Sequence, residues 1–171
     1  MQLKNLLVFT LAAGTYAQGA AIITGEMTSI GAALDTLDTA ITGLTDANAA
    51  TAAKDLVSKS EAVAKAITAA TGKIGSAAEV PLTDAISIST AANTLTSKTD
   101  KTITDLIEKK AIIAKVNEVA TVKTQLNNQK TAADALAKAI VSKLPAAAKS
   151  IGESQAGKIS ASIAKGVAAF N

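Results

Sequence analysis

The chain of 171 residues is 49% hydrophobic and only 2% aromatic, and 39 of its residues are alanine. Lys supplies all 17 basic residues against 14 acidic ones, for a net charge of +3, and Cys, His, Trp and Arg are absent. With 18% charged residues and a mean hydropathy of +0.31, the chain is too apolar for the disordered class. The absences exclude disulfide frameworks, thiolate nucleophiles and Cys-based zinc sites. They also exclude imidazole bases, Ser-His-Asp triads and guanidinium forks for phosphate or guanine.

Residues 1–17 read as a secretory signal peptide. Lys4 is the positive n-region, Leu6 to Ala13 a short apolar core, and Thr15-Tyr16-Ala17 places small residues before cleavage at Gln18. The apolar run is far below the roughly 20 residues a spanning helix needs, so no transmembrane anchor is expected. The rest of the chain, residues 18–171, is one domain of 154 residues with net charge +2 and Phe170 as its only aromatic side chain. The C-terminus Gly166-Val167-Ala168-Ala169-Phe170-Asn171 lacks the polar spacer and apolar tail of a lipid-anchor signal. The product is expected to be extracellular, either free or in a cell wall.

Helical periodicity runs through this domain. Ile23, Met27, Ile30, Leu34, Leu37, Ile41 and Leu44 alternate spacings of four and three, one stripe on a first helix. Asp46 is placed to cap a second, with Ala53, Leu56, Ser60, Val63, Ile67 and Ala70 inward and Gly72 and Gly75 closing it. Pro81 suits the first turn of a third, whose face is Leu82, Ile86, Ala92, Leu95, Thr99, Ile103, Leu106 and Lys110. A turn without Gly or Pro falls in Lys109–Asn117. A fourth helix then carries Val116, Val119, Lys123, Leu126, Ala133, Leu136 and Ile140. Pro145 opens a fifth with Ala148, Ile151, Gln155, Ile159, Ile163, Val167 and Phe170. The fold class is all-α, a single antiparallel bundle of about five helices after the signal peptide. Gly and Pro at 72–81 and 145 break any long coiled-coil register.

The inward positions mix Leu, Ile and Val with many Ala and Thr. Each buried methylene contributes about 0.8 kcal/mol, a whole aliphatic side chain about 1.5–3 kcal/mol. Such an interior is therefore either tightly drawn together or incompletely filled, and space between helices would accept an apolar guest. Sheltering ten methylenes of an acyl chain gives on the order of 8 kcal/mol before ordering costs, the micromolar range.

Catalytic motifs are fragments. Ser162-Ile163-Ala164-Lys165 matches S-x-x-K without its S-D-N and K-T-G partners. Asp35 and Asp38 are i, i+3 neighbours on a solvated face, and Asp46-Ala47-Asn48 lacks the Gly and Glu of a calcium loop. No phosphate-binding fingerprint occurs, and the lysines are dispersed rather than gathered into a nucleic-acid face. No cofactor, metal or enzymatic activity is expected.

The mature chain resembles the fungal hydrophobic surface-binding protein A family, also called cell-wall galactomannoproteins. The resemblance rests on Ile30-x3-Leu34-x2-Leu37, on the long third helix ending near Lys110 and on Val119…Leu126…Leu136…Ile140. The closing Leu144-Pro145…Ile159-x3-Ile163-x3-Val167-x2-Phe170 completes it. The resemblance implies a secreted, non-enzymatic helical domain that binds lipid or fatty-acyl chains or adsorbs to hydrophobic surfaces. A structural or antigenic wall mannoprotein that needs no lipid ligand is the alternative, with cell-wall polysaccharide as its partner. The expected lining is Ile30, Leu34, Leu37, Ile41, Leu56, Val63, Ile67, Leu106, Val119, Leu126, Leu136, Ile140, Ile159 and Ile163. Mass spectrometry of the exported product is expected to find a chain starting at Gln18. With Tyr16 removed and no Trp present, its absorbance at 280 nm is expected to be close to nil.

Overall fold

The computed structural model describes the backbone of residues 4–171 and the side chains of residues 18–171. The proposed export segment, residues 1–17, lies outside the residues whose side chains are described. The long helices are α1 (Lys4–Thr42), α2 (Ala49–Gly75), α3 (Ala85–Glu108), α5 (Val119–Lys143) and α6 (Ala146–Ala169). A 3-10 turn (Leu82–Asp84) precedes α3, and a short helix α4 (Lys110–Lys115) links α3 to α5. Among the described residues there is no strand.

The expected stripes are buried where periodicity put them in α1 and α2, from Ile23 to Ile41 and from Ala53 to Ala70, while Leu44 is buried just past the end of α1. Several boundaries differ. Among the described residues there are six helices rather than about five, because the turn after α3 is itself a helix. Asn117, at φ 61°, ends it in the left-handed region that Asn tolerates better than most residues. The Asn117 N–H donates to the Ala114 carbonyl and the Glu118 N–H to that of Ile113, so Asn117 takes the place usually held by a C-terminal Gly. Asp46 does not cap α2. The helix starts two residues later, behind Asn48, whose Oδ1 accepts the Thr45 N–H at 2.8 Å while its Nδ2 donates to the Gly43 carbonyl at 3.0 Å. Asp46 instead pairs with Lys115 at 2.7 Å.

The long helices form a closed ring: α1 packs on α2 and α3, α3 on α6, α6 on α5, and α5 on α2. Consecutive helices alternate in direction, as short connections require, but the ring also sets parallel helices side by side. Asp35 and Asp38 of α1 pair in order with Lys98 and Lys101 of α3. Asn93 and Asp100 of α3 meet Gln155 and Ser162 of α6 in the same sense. The bundle is therefore not antiparallel at every contact.

One end of the ring is sealed. Phe170 is fully buried there, with the Lys110 Nζ 5.9 Å from its ring centroid and donating to the Ala169 carbonyl. Lys109 donates to the Leu44 carbonyl at 2.9 Å, tying the α1–α2 turn to the start of α4. At the other end the α2–α3 connector is held by the Val80 N–H donating to the Lys143 carbonyl at 2.8 Å.

Charges stitch the outer seams. Lys101 sits between Asp105, at 2.7 Å, and Asp38, and these two carboxylates hold its ammonium well above the ordinary lysine value. The Lys101 hydrogen bond in turn holds Asp105 below the usual carboxylate range, and Lys130 does the same for Asp134. Groups with depressed folded pKa values contribute stability above the unfolded carboxylate pKa, about 3.9, and lose it as pH falls toward the folded value. The expected melting temperature is flat from neutrality to about pH 4 and falls below it. The acid-induced part of that fall is smaller in Asp105→Asn, as followed by circular dichroism.

Candidate functional site

Five helices in a ring leave an axis that their backbones do not fill, so side chains decide whether it is solid. Here Ala92, Ala133, Ala137, Ala148 and Ala156 face that space, each contributing only a methyl group. The result is an aliphatic cavity of about 400 Å³. Roughly 150 Å³ of aliphatic cavity is enough to take benzene, and ligand sites run from about 300 Å³.

The cavity is walled by Met27, Ile30 and Leu34 of α1, Val63 and Ile67 of α2, and Ile88, Leu95 and Ile103 of α3. Leu136 and Ile140 of α5 and Ile159 and Ile163 of α6 complete the wall. It opens at the unsealed end between the first turns of α3 and α6. There Leu82, Ile86 and Ile151 are 57%, 74% and 53% exposed while still lining the space. Periodicity had placed these three on inner faces; they lie at an opening, where the face continues but nothing covers it. Gly166 keeps the far part of the wall tight. A Cβ there would stand 3.1 Å from the Ile103 Cδ1 and 3.3 Å from the Leu126 Cδ1.

The sequence-predicted lining residues divide between two spaces. Ile30, Leu34, Val63, Ile67, Leu136, Ile140, Ile159 and Ile163 line the large cavity. Leu37, Ile41, Leu56, Leu106 and Leu126 border a separate void of about 40 Å³ toward the sealed end, room for little more than a water. Val119 borders neither and packs half-buried against the core. Periodicity reports which face of a helix turns inward but not how far along the axis the packing stays open.

Gln129 is a wall residue that the aliphatic reading passed over. It borders both spaces, is 6% exposed, and donates through Nε2 to the Ser60 Oγ at 2.9 Å and the Ser60 carbonyl at 3.3 Å. Its signal was in the sequence, because Leu126, Gln129, Ala133, Leu136 and Ile140 keep the three-four spacing. Among the described residues no charged side chain lines the large cavity. Ser162 is buried, and its Oγ lies 2.9 Å from the Lys158 carbonyl and against the Asp100 carboxylate, while Lys165 is exposed. The S-x-x-K fragment thus forms a helix–helix contact. Among the described residues no group of three or more acidic side chains is arranged to hold a metal ion.

Comparison with known proteins agrees with this geometry. The profile of the family described as hydrophobic surface binding protein A matches residues 20–142. The chain belongs to that family. It is 37% identical over 138 residues to cell wall mannoprotein 1 of Aspergillus flavus, which covers 81% of this chain and 48% of the relative. It is 34% identical over 113 residues to cell wall mannoprotein 1 of Aspergillus fumigatus, covering 66% and 40%. The chain thus spans about half the length of the curated relatives it matches. Among solved structures, ligand binding domain 1 of Penicillium marneffei MP1 protein, complexed with arachidonic acids, superposes with a TM-score of 0.84 at 24% identity. That match covers 90% of this chain and 99% of the other. AFMP4P in complex with palmitic acid superposes at 0.83 and 20% identity, covering 89% and 99%. At these identities the likeness establishes the fold of the family member described here, including α6, which lies beyond the profile match.

An underfilled axis has a mechanical signature. Ala92→Leu and Ala133→Leu each add methylenes to existing space, gaining up to about 2 kcal/mol apiece at about 0.8 kcal/mol per buried methylene. The double variant is expected to melt higher and to unfold at higher pressure, because the volume change of unfolding scales with the void removed. High-pressure fluorescence of a surface-attached dye would read the midpoint.

Proposed function

We propose that this family member is a secreted, non-catalytic binding protein that takes a fatty-acyl chain into the axis of its helical ring. The observation that carries the reading is the open cavity of about 400 Å³, walled by aliphatic side chains and bordered at its mouth by exposed Leu82, Ile86 and Ile151. Sheltering apolar chain from water is the one large favourable term such a site offers, at about 0.8 kcal/mol per methylene. The arachidonic and palmitic acids named for two proteins of like fold support this class of ligand. The same apolar mouth provides contact area for a hydrophobic surface, in keeping with the family's description. The lining residues we assign to the acyl chain are Ile30, Leu34, Val63, Ile67, Leu136, Ile140, Ile159 and Ile163.

Export is supported by the signal-like residues 1–17, which make residues 18–171 the working domain. Among the described residues no helix is long and apolar enough to cross a membrane. The names of the two Aspergillus relatives favour a second reading in which the chain is a wall component whose role needs no ligand.

A fluorescent fatty acid is expected to titrate saturably against the purified domain. Ala92→Leu/Ala133→Leu should weaken it by at least about tenfold, the equivalent of 1.4 kcal/mol, while raising the melting temperature. Loss of binding with a gain of stability marks a cavity rather than a damaged core. A flat titration of the unaltered protein, with retention in a cell-wall fraction, would instead favour the wall-component reading.

A further inference from the structure

The polar groups on the cavity wall are not evenly matched. Thr99 and Thr102 are buried on α3 at the inner end, where the large cavity meets the small void, and each donates its hydroxyl proton to the carbonyl four residues back, at 2.9 Å. Across from them Gln129 gives its amide protons to Ser60, and within the chain its Oε1 accepts nothing in return. The Thr99 and Thr102 hydroxyls and the Gln129 amide are engaged as donors, and what these three side chains offer the large cavity are oxygen lone pairs; Ser60, whose own hydroxyl proton meets no acceptor among the described residues, borders the small void and not the large cavity. A threonine hydroxyl that has donated backward along its helix still accepts, and so does the Gln129 carbonyl. Among the described residues no lysine lines the cavity.

Such a wall discriminates by protonation. A carboxylate carries only acceptors, and with neither a donor nor a cation beside it the cost of desolvation is uncompensated. A hydroxyl brings the missing proton and is paired rather than stranded. A methyl group fits but leaves the acceptors unmet. We propose that Gln129, with Thr99 and Thr102, forms an acceptor site that recognises a hydroxyl-bearing end of a long aliphatic chain, the chain's other end resting at the mouth beside Ile86 and Ile151. The class of ligand is an aliphatic chain with a terminal hydroxyl, such as a long-chain alcohol or an ω-hydroxy acid. The inference rests on the acyl-binding reading above and adds a determinant of specificity to it.

The test uses three sixteen-carbon acids alike at the mouth end and different at the inner end: hexadecanoic, 16-hydroxyhexadecanoic and hexadecanedioic acid. Each competes at pH 8 with a bound fluorescent fatty acid on the full exported domain. The expected order is hydroxy acid tightest, by about three- to tenfold over the plain acid, one hydrogen bond's usual net worth. The diacid should be weakest, by at least about a hundredfold, as expected for an unpaired buried charge. Gln129→Met keeps the length of the side chain and removes its carbonyl, and it should put the plain acid ahead of the hydroxy acid. Thr99→Val/Thr102→Val, in which the side-chain shape is kept, should move the ratio in the same direction and serves if Gln129→Met does not fold. A hydroxy acid weaker than the plain acid on the unaltered protein overturns the acceptor site and leaves acyl binding standing. So does a ratio that the folded variants do not change. Failure of all three acids, and of the fluorescent fatty acid itself, to bind overturns the acyl-binding reading instead.

Discussion

A ring of five helices cannot be filled by its own backbones, and most features of this protein stem from that. In a pairwise helix contact the two backbones come within 8–10 Å and small side chains tighten the fit. Around a five-membered ring the same small residues have no partner across the axis. Ala92 and Ala133 are therefore buried without filling the space they border. Glycine and alanine do bring helices together at the circumference, as Gly166 does against Ile103 and Leu126. Tight seams and an open axis thus coexist in one fold, and the first helps preserve the second.

The two ends of the ring differ in kind. Lys109, Lys110 and Lys115 fasten the end that holds Phe170, each through a hydrogen bond to a carbonyl or carboxylate of another segment. At the opposite end a backbone hydrogen bond from Val80 to Lys143 holds the α2–α3 connector, and three large aliphatic side chains are left uncovered. Large exposed aliphatics are ordinary when scattered, but these border one opening into a cavity lined by the same kind of side chain. An apolar path thus runs from the surface to the axis, with its charged groups kept to the outer seams. The i, i+3 pair Asp35 and Asp38 illustrates this: it reads as a solvated face, yet it fixes α1 in parallel register with α3.

Much of this was legible in the chain itself. The three-four spacing from Ile23 to Leu44 placed α1 and its buried face, and the Pro and Gly punctuation placed the starts of α3 and α6 to within a few residues. The turn was legible only as a span, Lys109–Asn117, and not as a break at Asn117, because Asn in the left-handed region imitates Gly without resembling it. Asp46 and Asn48 were both plausible caps by type, and the choice fell to the loop, where the Asn48 amide closes onto Gly43 and Thr45. Gln129 was left out of its stripe although Ser60, Thr99 and Gln155 were read into theirs, because nothing within its own helix gives a buried amide a partner. Its burial makes sense only beside Ser60, 69 residues away in sequence.

By itself the sequence determined the class of fold, the family and the kinds of chemistry that are impossible here. Those come from residue types and from a period of 3.6, and both are local properties of the chain. It also determined that the interior is largely aliphatic, since Phe170 is the one aromatic side chain beyond residue 17. Only the tertiary structure decided which inward residues border open space and which border packed core. Leu136 and Leu126 lie on the inward stripe of one helix, yet one lines a cavity of about 400 Å³ and the other a void of about 40 Å³. The difference lies in what stands opposite across the ring. That is set by how five helices close around an axis, and no period within a single helix encodes it.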